Sequence, residues 1–419
     1  MTKTIHPAPL GGTIAAIPSK SCAHRLLICA ALAQTPTQID CPGVSADILA
    51  TADCLRALGA EITRTAEGFH VTPAAPSGAC RLPCGESGST LRFLLPVAAA
   101  LGVKADFIME GRLPERPLAP LDAQLEAHGA HLSRPARDCL RCGGKLTPGD
   151  YTLPGNVSSQ YISGLLFALP LLERDSFLRV TGRLESAPYV EITRAALRQF
   201  GVDIVEEPAK YYRIPATGYR SPGRARVEGD WSNAAFWLCA GALGKRVCVT
   251  GLDPDSLQGD KAVFELLESF GAVCGNEGDT FCVSPGTLHP LDIDASAIPD
   301  LVPVLSVVAA AAPGVSRIYN ASRLRLKESD RIESVCRMLR ALGGEVEETE
   351  DGMRIHGGRR FAGGTVDSFG DHRIAMAAAV ASLWSDGEVT VTGAEAVQKS
   401  YPGFWNDFSR LQRPQTEEE

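Results

Sequence analysis

The sequence predicts an α/β protein of two domains, each assembled from three units of about 70 residues. Three observations support this fold. A helix that ends at a glycine recurs at a fixed period, an apolar helix recurs at the same period, and a strand near the N-terminus lacks a partner in its own unit. Six such units account for the whole 419-residue chain.

The first recurring element is an amphipathic helix that ends at a glycine. The glycines, which lie 70 to 72 residues apart, are Gly59, Gly129, Gly201, Gly271 and Gly343. Glycine favours this position because it adopts the left-handed conformation that closes a helix. Two short strand-like runs separated by a turn follow the glycine, as in Glu61–Thr65 with Gly68–Thr72, and these runs predict a hairpin.

The second recurring element is a helix that is apolar on nearly all sides, which is typical of a buried helix. Its six copies begin near Ser21, Gly88, Ser158, Trp231, Asp300 and Asp371. Each unit is therefore predicted to contain a buried helix, a strand or loop, an amphipathic helix, a glycine and a hairpin.

The two ends of the chain complement each other. The last amphipathic helix, near Pro402–Leu411, has no strand after it, and Thr13–Ile17 is a predicted strand that precedes the first unit. We infer that the N-terminal strand completes the sixth unit. This inference places one three-unit domain at residues 20–228 and the other at 1–19 plus 229–419. An open solenoid is the alternative, and the buried helices argue against it because an open stack would expose them.

The composition is that of a globular protein, with 45% hydrophobic and 21% charged residues. A net charge of −8 argues against a nucleic-acid partner, which usually binds a basic surface. No uncharged apolar run reaches the ~18 residues of a membrane span and the first ten residues contain no signal core, so we expect a cytoplasmic protein without a membrane partner. The thirteen cysteines show no zinc or disulfide framework, and we expect reduced thiols, mostly buried.

The starts of the buried helices carry the most informative residues. Free backbone N–H groups and the helix dipole favour an anion there. Each residue also has an ordinary interpretation, as an N-cap or an exposed charge. For Asp300 the alternative to a cap is a base held ready for a substrate hydroxyl, and Asp230 reads as a simple cap. The candidate residues at the other starts are Lys20, Ser21 and Arg25, then Gly88, then Ser158, Ser159 and Gln160, then His372 and Arg373.

Further cations lie in three loops. They are Arg112 with Arg116, the run from Arg323 through Lys327 to Arg331, and Lys399. A charge run alone is usually a solvated surface. Because these cations are concentrated in an acidic protein, they indicate a local site for an anionic small molecule.

Six motifs follow one another in order along the chain. They are Glu86-Ser-Gly-Ser-Thr-Leu-Arg92, the turn at Arg116, Val157-Ser-Ser-Gln160, Leu326-Lys-Glu-Ser-Asp-Arg331, Asp371-His-Arg373 and Lys399-Ser-Tyr-Pro-Gly403. Over essentially the whole chain, this ordered set resembles the EPSP synthase family of enolpyruvyl transferases, the 3-phosphoshikimate 1-carboxyvinyltransferases. The resemblance implies a two-domain inside-out α/β barrel built from six βαβαββ repeats, three per domain, with the active site in the interdomain cleft. It also implies a monomer that needs no metal or other cofactor.

The resemblance implies two groups of substrate contacts. The positions that match contacts to shikimate 3-phosphate are Lys20, Ser21, Arg25, Ser158, Ser159, Gln160, Ser186, Asp300 and Lys327, with Tyr189 beside them. The positions that match the phosphoenolpyruvate pocket are Lys20, Gly88, Arg116, Gln160, Arg331, Arg373 and Lys399. Glu86 and Arg323 depart from the family pattern, since many members have Asn at the first position and some have Asn at the second.

The implied reaction moves the carboxyvinyl group of phosphoenolpyruvate to the 5-hydroxyl of shikimate 3-phosphate by addition and elimination. Two phosphates and two carboxylates must be neutralised, which accounts for the many cations. We expect Asp300 to act as the base at the 5-hydroxyl. Lys20 and Glu328 are both candidates for delivering the proton to the methylene carbon.

Two other functions fit parts of this pattern. The related enolpyruvyl transferase that acts on UDP-N-acetylglucosamine uses a reactive cysteine in the loop that corresponds to Glu110–Pro117, and this loop contains no cysteine. A non-catalytic repeat scaffold that binds anions at helix ends would not need Asp300 and Glu328 beside the cations. We therefore expect catalysis on shikimate 3-phosphate.

Overall fold

Twelve α-helices lie within residues 1–76 and 78–412, which the computed structural model describes. They are α1 (Lys20–Leu32), α2 (Ala46–Ala57), α3 (Gly88–Leu101), α4 (Leu121–Ala127), α5 (Ser159–Ala168), α6 (Ala187–Gln199), α7 (Trp231–Leu243), α8 (Val263–Phe270), α9 (Val302–Ala311), α10 (Arg331–Ala341), α11 (His372–Ala381) and α12 (Phe404–Gln412). The odd-numbered helices are the predicted apolar ones, and the even-numbered helices are the predicted amphipathic ones. No helix of these residues is long and apolar enough to cross a membrane.

The described residues also form 23 strands. These are β1 (Thr2–Ile5), β2 (Gly12–Ala15), β3 (Thr37–Asp40), β4 (Glu61–Arg64), β5 (Gly68–Thr72), β6 (Cys80–Gly85), β7 (Ala105–Met109), β8 (Ala130–Ala136), β9 (Cys139–Gly144), β10 (Asp150–Pro154), β11 (Ser176–Thr181), β12 (Val205–Glu207), β13 (Tyr211–Ile214), β14 (Arg224–Arg226), β15 (Val247–Thr250), β16 (Val273–Glu277), β17 (Thr280–Ser284), β18 (Asp292–Asp294), β19 (Gly314–Tyr319), β20 (Glu345–Thr349), β21 (Gly352–Gly357), β22 (Gly364–Asp367) and β23 (Val389–Thr392).

The chain divides into two compact units. The central unit is Lys20–Val227, and the terminal unit is Met1–Ser19 together with the described residues from Glu228 onwards. The sheets of the central unit have the strand orders β14-β3-β5-β4, β6-β7-β9-β8 and β10-β11-β13-β12. Those of the terminal unit are β16-β17-β15-β2, β18-β19-β21-β20 and β1-β23-β22. A parallel pair joined through an apolar helix, followed by an antiparallel hairpin, gives one βαβαββ repeat, as in β6 to β9.

Two strands beside the chain crossings pair away from their neighbours in sequence. β14 precedes α7 but pairs in parallel with β3, so that Arg224 lies opposite Gln38. β2 precedes α1 but pairs in parallel with β15, so that Gly12 lies opposite Val247. Each unit therefore obtains the first strand of its first repeat from the segment that borders a crossing.

The strand expected at Thr13–Ile17 forms as β2, but it does not complete the sixth repeat. That position is taken by β1, which pairs antiparallel to β23 with Thr2 opposite Thr392. The prediction chose the wrong strand because β1 has a weak sequence signal. Only Ile5 among its four residues is buried, as in a short strand at a sheet edge.

The apolar helices form the core of each unit. Every residue of α9 is buried, and so is every residue of α3 from Leu91 to Ala100. Strands such as β6 and β10 alternate between buried and exposed residues, which is typical of sheets that cover a core on one face. Gly164 allows α5 to approach α3 closely, since a Cβ there would lie 2.3 Å from the carbonyl oxygen of Arg92. Helices inside and sheets outside confirm the predicted α/β class.

The expectation of reduced thiols is wrong for two cysteines. Cys248 of β15 and Cys282 of β17 lie opposite each other and form a disulfide. They are 34 residues apart in sequence, and only the strand register brings them together. The other cysteines are thiols outside this disulfide, and all of them except the half-buried Cys274 are buried.

Candidate functional site

Lys20 begins α1 in the central unit and contacts a buried carboxylate. Its Nζ lies 3.0 Å from Oδ2 of Asp47, and the two side chains are 17% and 7% exposed. Asp47 stands in the first turn of α2, where Ser45 accepts a hydrogen bond from the backbone N–H of Ile48. The ion pair offsets the unfavourable position of a cation at a helix N-terminus.

Arg25, one turn further along α1, is buried and is held by neutral groups. Its Nε donates to Oγ1 of Thr193 at 2.8 Å, while Nη1 and Nη2 donate to the carbonyl oxygens of Ser21 and Tyr189 at 2.7 and 2.9 Å. Burial lowers the pKa of Arg25 to about 10, so the guanidinium stays charged at neutral pH. These bonds use three of its five N–H groups, which leaves two that can face a ligand.

The same bonds bring the start of α1 to the start of α6. Ser186 is the N-cap of α6, is buried, and has a left-handed φ of 52°. Tyr189, one turn later, provides the carbonyl oxygen that Arg25 contacts. The structure thus joins Ser21, Arg25, Ser186 and Tyr189 through two adjacent helix starts.

The start of α3 lies against two arginines. A Cβ on Gly88 would lie 2.7 Å from Nη1 of Arg116 and 2.8 Å from Nη1 of Arg92. Glycine is therefore needed here for the guanidinium groups to approach the helix start. Ser87 caps the helix by accepting a hydrogen bond from the backbone N–H of Thr90.

The start of α5 is fixed to α3 through a carboxamide. Gln160 accepts from Nη1 of Arg92 at Oε1 and donates from Nε2 to Oγ of Ser89, both at 2.8 Å. Ser158 caps α5 and accepts from the backbone N–H of Gln160. Ser159 is buried beside it. The predicted residues of the second and third repeats therefore lie together.

Three cations converge on Asp300 in the terminal unit. Nη1 of Arg331 lies 2.6 Å and Nζ of Lys327 lies 3.6 Å from Oδ1, and Nη2 of Arg373 lies 3.2 Å from Oδ2. Burial opposes ionisation of Asp300, but the charges of Arg373, Lys327 and Arg331 outweigh it and hold the pKa of the carboxyl well below its ordinary value. Burial in turn lowers the pKa of Lys327.

Arg331 is 1% exposed and is surrounded by carboxylates. Besides Asp300, its Nη2 donates to Oε2 of Glu328 and its Nε donates to Oδ2 of Asp371, both at 2.8 Å. Although burial opposes it, the charges of Asp371, Glu328 and Asp300 raise the pKa of Arg331 well above its ordinary value. A fully buried cation of this kind is stable only because its partners remain in place.

Arg373 and Lys399 complete the terminal set. Arg373 is 4% exposed and donates from Nη1 to the backbone oxygen of Asp300 at 3.1 Å. Lys399 is buried and ends the 3₁₀ helix Ala394–Lys399, which packs against α11. His372 is buried in the first turn of α11.

The predicted residues thus form two clusters. The central cluster consists of Lys20, Ser21, Arg25, Gly88, Arg116, Ser158, Ser159, Gln160 and Ser186. The terminal cluster consists of Asp300, Lys327, Glu328, Arg331 and Arg373, and Lys399 lies on the 3₁₀ helix that packs against α11. The first can bind anions through cations, hydroxyls and helix N–H groups, and the second adds carboxylates that can exchange protons.

Comparison with known families identifies the chain. A model described as EPSP synthase (3-phosphoshikimate 1-carboxyvinyltransferase) matches residues 5–408. The chain belongs to the EPSP synthase family. Similar proteins include the 3-phosphoshikimate 1-carboxyvinyltransferases of Clostridium kluyveri and Clostridium acetobutylicum. Each is 41% identical over an alignment that covers 97% of this chain and 96% of the relative.

Solved structures agree with this family membership. An EPSP synthase from Acinetobacter baumannii superposes with a TM-score of 0.81 at 26% identity, over 98% of both chains. The enolpyruvyl transferase NikO from Streptomyces tendae has a TM-score of 0.78 at 20% identity over 98% of this chain and 97% of that one, which shows the shared fold.

The two residues that depart from the EPSP synthase pattern, Glu86 and Arg323, contact segments that carry or precede predicted site residues. Glu86 is exposed and lies against Gly111, where a Cβ would collide with Oε1 of the carboxylate. Arg323 donates from Nη2 to the carbonyl oxygen of Ser296 at 3.3 Å. Glu86 therefore contacts the loop that carries Arg116, and Arg323 contacts the segment that precedes Asp300.

Several buried charges were not predicted from the sequence. Asp47 pairs with Lys20, and Asp371 both caps α11 and binds Arg331. Asp260 is buried and accepts a hydrogen bond from Oγ of Ser232. Burial first, and the nearby charge of Asp300 second, raise the pKa of Asp260 to about 6. An acidic residue near a helix start reads as an ordinary cap, so these residues carried no distinct sequence signal.

Proposed function

We propose that this chain transfers the carboxyvinyl group of phosphoenolpyruvate to the 5-hydroxyl of shikimate 3-phosphate. The observation that carries the proposal is the convergence of three cations on the carboxylate of Asp300. Such a group of side chains can bind anions and also offers a base, and the reaction needs both.

The substrate contacts are divided between the two clusters. Shikimate 3-phosphate is assigned to Lys20, Ser21, Arg25, Ser158, Ser159, Gln160, Ser186, Asp300 and Lys327. Phosphoenolpyruvate is assigned to Lys20, Gly88, Arg116, Gln160, Arg331, Arg373 and Lys399. The buried guanidinium groups support these assignments, because Arg is well suited to bidentate contacts with phosphate and carboxylate.

In the addition step, Asp300 accepts the proton of the 5-hydroxyl while the hydroxyl oxygen bonds to C2 of phosphoenolpyruvate. Lys20 or Glu328 gives a proton to the methylene carbon, which becomes a methyl group. The low pKa of Asp300 keeps it ionised, as a base must be, but also makes it a weak base. We expect it to become more basic when its cations turn towards the anionic groups of the substrates.

In the elimination step, the C2–O bond to phosphate breaks and its electrons leave with the phosphate. The methyl group loses a proton to the residue that supplied it, which restores the vinyl group. We assign to Arg331 and Arg373 the role of offsetting the charge on the departing phosphate. Every step uses side chains of the protein and the two substrates.

The proposal is tested by mixing the protein with phosphoenolpyruvate and shikimate 3-phosphate and measuring released phosphate. Mass spectrometry should show one carboxyvinyl group added to shikimate 3-phosphate per phosphate released. UDP-N-acetylglucosamine in place of shikimate 3-phosphate should release none. Turnover only with the nucleotide sugar, or with neither acceptor, would overturn the proposal.

We also propose that the protein acts as a cytoplasmic monomer without nucleic-acid or membrane partners. The acidic net charge of −8 supports the absence of a nucleic-acid partner. Light scattering should give the mass of one 44.5-kDa chain, and a doubled mass would contradict the monomer.

A further inference from the structure

A chain of hydrogen bonds runs through the interior of the central unit. Nδ1 of His24 lies 2.5 Å from Oγ1 of Thr51, and this oxygen lies 2.6 Å from Oγ1 of Thr90. The Thr90 hydroxyl donates to Oγ of Ser87 at 2.7 Å. All four residues are at most 1% exposed. This hydrogen-bond chain is therefore shielded from solvent, and its four side chains depend on one another to satisfy their polar groups.

The direction of the last bond fixes the direction of the others. A hydroxyl has one proton. Since Thr90 donates its proton to Ser87, Thr90 must accept from Thr51. Thr51 then has no proton left for His24, so it accepts from Nδ1 of that ring. His24 is therefore expected to carry its proton on Nδ1 and a lone pair on Nε2.

The surroundings of His24 agree with a neutral ring. Burial lowers the pKa of His24 to about 3; the charge of Asp47 acts against this, while those of Lys20 and Arg25 add to it. Nε2 is buried and has no hydrogen-bond partner among the described residues. An unsatisfied acceptor is more easily tolerated in a protein interior than an unsatisfied N–H group, which again favours the proton on Nδ1.

Through α2, the hydrogen-bond chain connects α1 and α3, which carry proposed substrate contacts. His24 lies one turn after Lys20 in α1, and Thr51 lies one turn after Asp47 in α2. The ion pair of Lys20 with Asp47 joins the same two helices at 3.0 Å. Thr90 and Ser87 continue the connection to the start of α3, where Gly88 stands.

We propose that His24, Thr51 and Thr90 are positioning residues that hold the start of α1, with Lys20 and Ser21, in a fixed arrangement with the start of α3, with Gly88. The inference rests on the proposed function, because it assigns the arrangement to the binding of phosphoenolpyruvate. Small displacements of positioned groups have large effects on binding and turnover. A purely structural role would instead affect folding stability alone.

The first test detects the His24 tautomer directly. The protein, which has eight histidines, is labelled with ¹⁵N-histidine, and the His24→Asn variant identifies the His24 signals. We expect a neutral ring with Nδ1–H and a bare Nε2 at every pH from about 5 to 8. In Thr51→Val the Nδ1 shift should change. A ring protonated on Nε2, or one that titrates in this range, would contradict the proposed hydrogen-bond chain from His24 to Ser87.

The second test measures kinetics. Thr51→Val should raise KM for phosphoenolpyruvate about tenfold and change kcat by less than about threefold. Thr51→Ser should restore KM, because it returns the hydroxyl. The matched control is Thr37→Val, since Thr37 is equally buried and its hydroxyl bonds to that of Ser221 at 2.6 Å, outside the proposed site.

The outcomes separate the two proposals. An unchanged KM in Thr51→Val, or an equal rise in Thr37→Val, would overturn the positioning role. A wild-type protein that releases no phosphate would overturn the proposed function, and the tautomer measurement would still decide whether the hydrogen-bond chain exists.

Discussion

The two clusters hold their arginines in different ways. In the central unit, neutral acceptors bind the guanidinium of Arg25, namely one hydroxyl and two backbone carbonyls. In the terminal unit, Arg331 is bound by the carboxylates of Asp300, Glu328 and Asp371. Neutral partners fix a guanidinium without neutralising it, whereas carboxylates neutralise it and are themselves tuned by it.

This difference indicates a division of tasks. A cation held by neutral groups keeps its charge for a ligand, so the central cluster is suited to binding phosphate and carboxylate. Carboxylates beside cations can exchange protons, so the terminal cluster is suited to accepting the proton of the 5-hydroxyl. Substitutions that remove one partner at a time can test this division.

The largest effect is expected from Asp300→Asn. The variant keeps the shape of the side chain but cannot accept a proton, so kcat should fall by about 10²–10⁴-fold while KM stays within about threefold. Phosphate-release kinetics measure both parameters. The control is Asp292→Asn, an exposed aspartate in the same unit, which should not change either parameter. A wild-type kcat in Asp300→Asn would show that Asp300 is not the base.

The next largest effect separates the two kinds of arginine. Arg331→Met removes the buried cation that Asp300, Glu328 and Asp371 share, and should lower the free energy of unfolding by about 3–5 kcal/mol. Arg25→Met removes three hydrogen bonds to neutral acceptors, and should lower the free energy of unfolding by about 1–3 kcal/mol. Urea unfolding of the two variants at neutral pH measures the difference. Equal losses would mean that the carboxylates of the terminal cluster are not ionised together.

A smaller effect concerns pH and Asp260. Its pKa of about 6 in the folded protein lies above the ordinary value of 3.8, so between these pH values the folded state binds more protons than the unfolded state. Stability from this group is present below about pH 4 and is lost as pH rises through 6.

Asp300 acts in the opposite direction, since its lowered pKa adds stability as pH rises at more acidic values. Asp260→Asn should therefore reduce the fall in unfolding free energy between pH 4 and 6 by about 1–3 kcal/mol. Urea unfolding of the wild type and the variant between pH 4 and 6 measures this change in unfolding free energy. A pH dependence identical to that of the wild type would show that Asp260 is ionised throughout.

The repeat architecture could be predicted from the sequence because the period is carried by local signals. A glycine after an amphipathic helix and an apolar helix can each be recognised without knowing the fold. Strand pairing cannot be recognised in this way, because it depends on which edge of a sheet is free once the helices have packed. The parallel pairs of β2 with β15 and of β14 with β3 are of this kind, and so is the disulfide between Cys248 and Cys282.

For the site, the sequence predicted residue types at helix starts but not the partners that fix them. Lys20 and Arg331 stand out as cations near motifs, whereas Asp47 and Asp371 look like ordinary first-turn or capping acids. Their roles follow from burial and from contacts between residues 27 and 40 positions apart. No local pattern encodes such contacts, which only the packed helices create.

The smallest effect is expected from Gly88→Ala in the central cluster. The added Cβ would meet the guanidinium ends of Arg116 and Arg92 at 2.7 and 2.8 Å. These are flexible side-chain ends, so the fold should survive while the arginines move away from the start of α3. KM for phosphoenolpyruvate should rise about tenfold, or about 1.4 kcal/mol, with KM for shikimate 3-phosphate changed by less than about twofold. The control is Gly143→Ala in β9, where a Cβ meets nothing within 4 Å. An equal rise in both KM values would contradict the assignment of Arg116 to phosphoenolpyruvate alone.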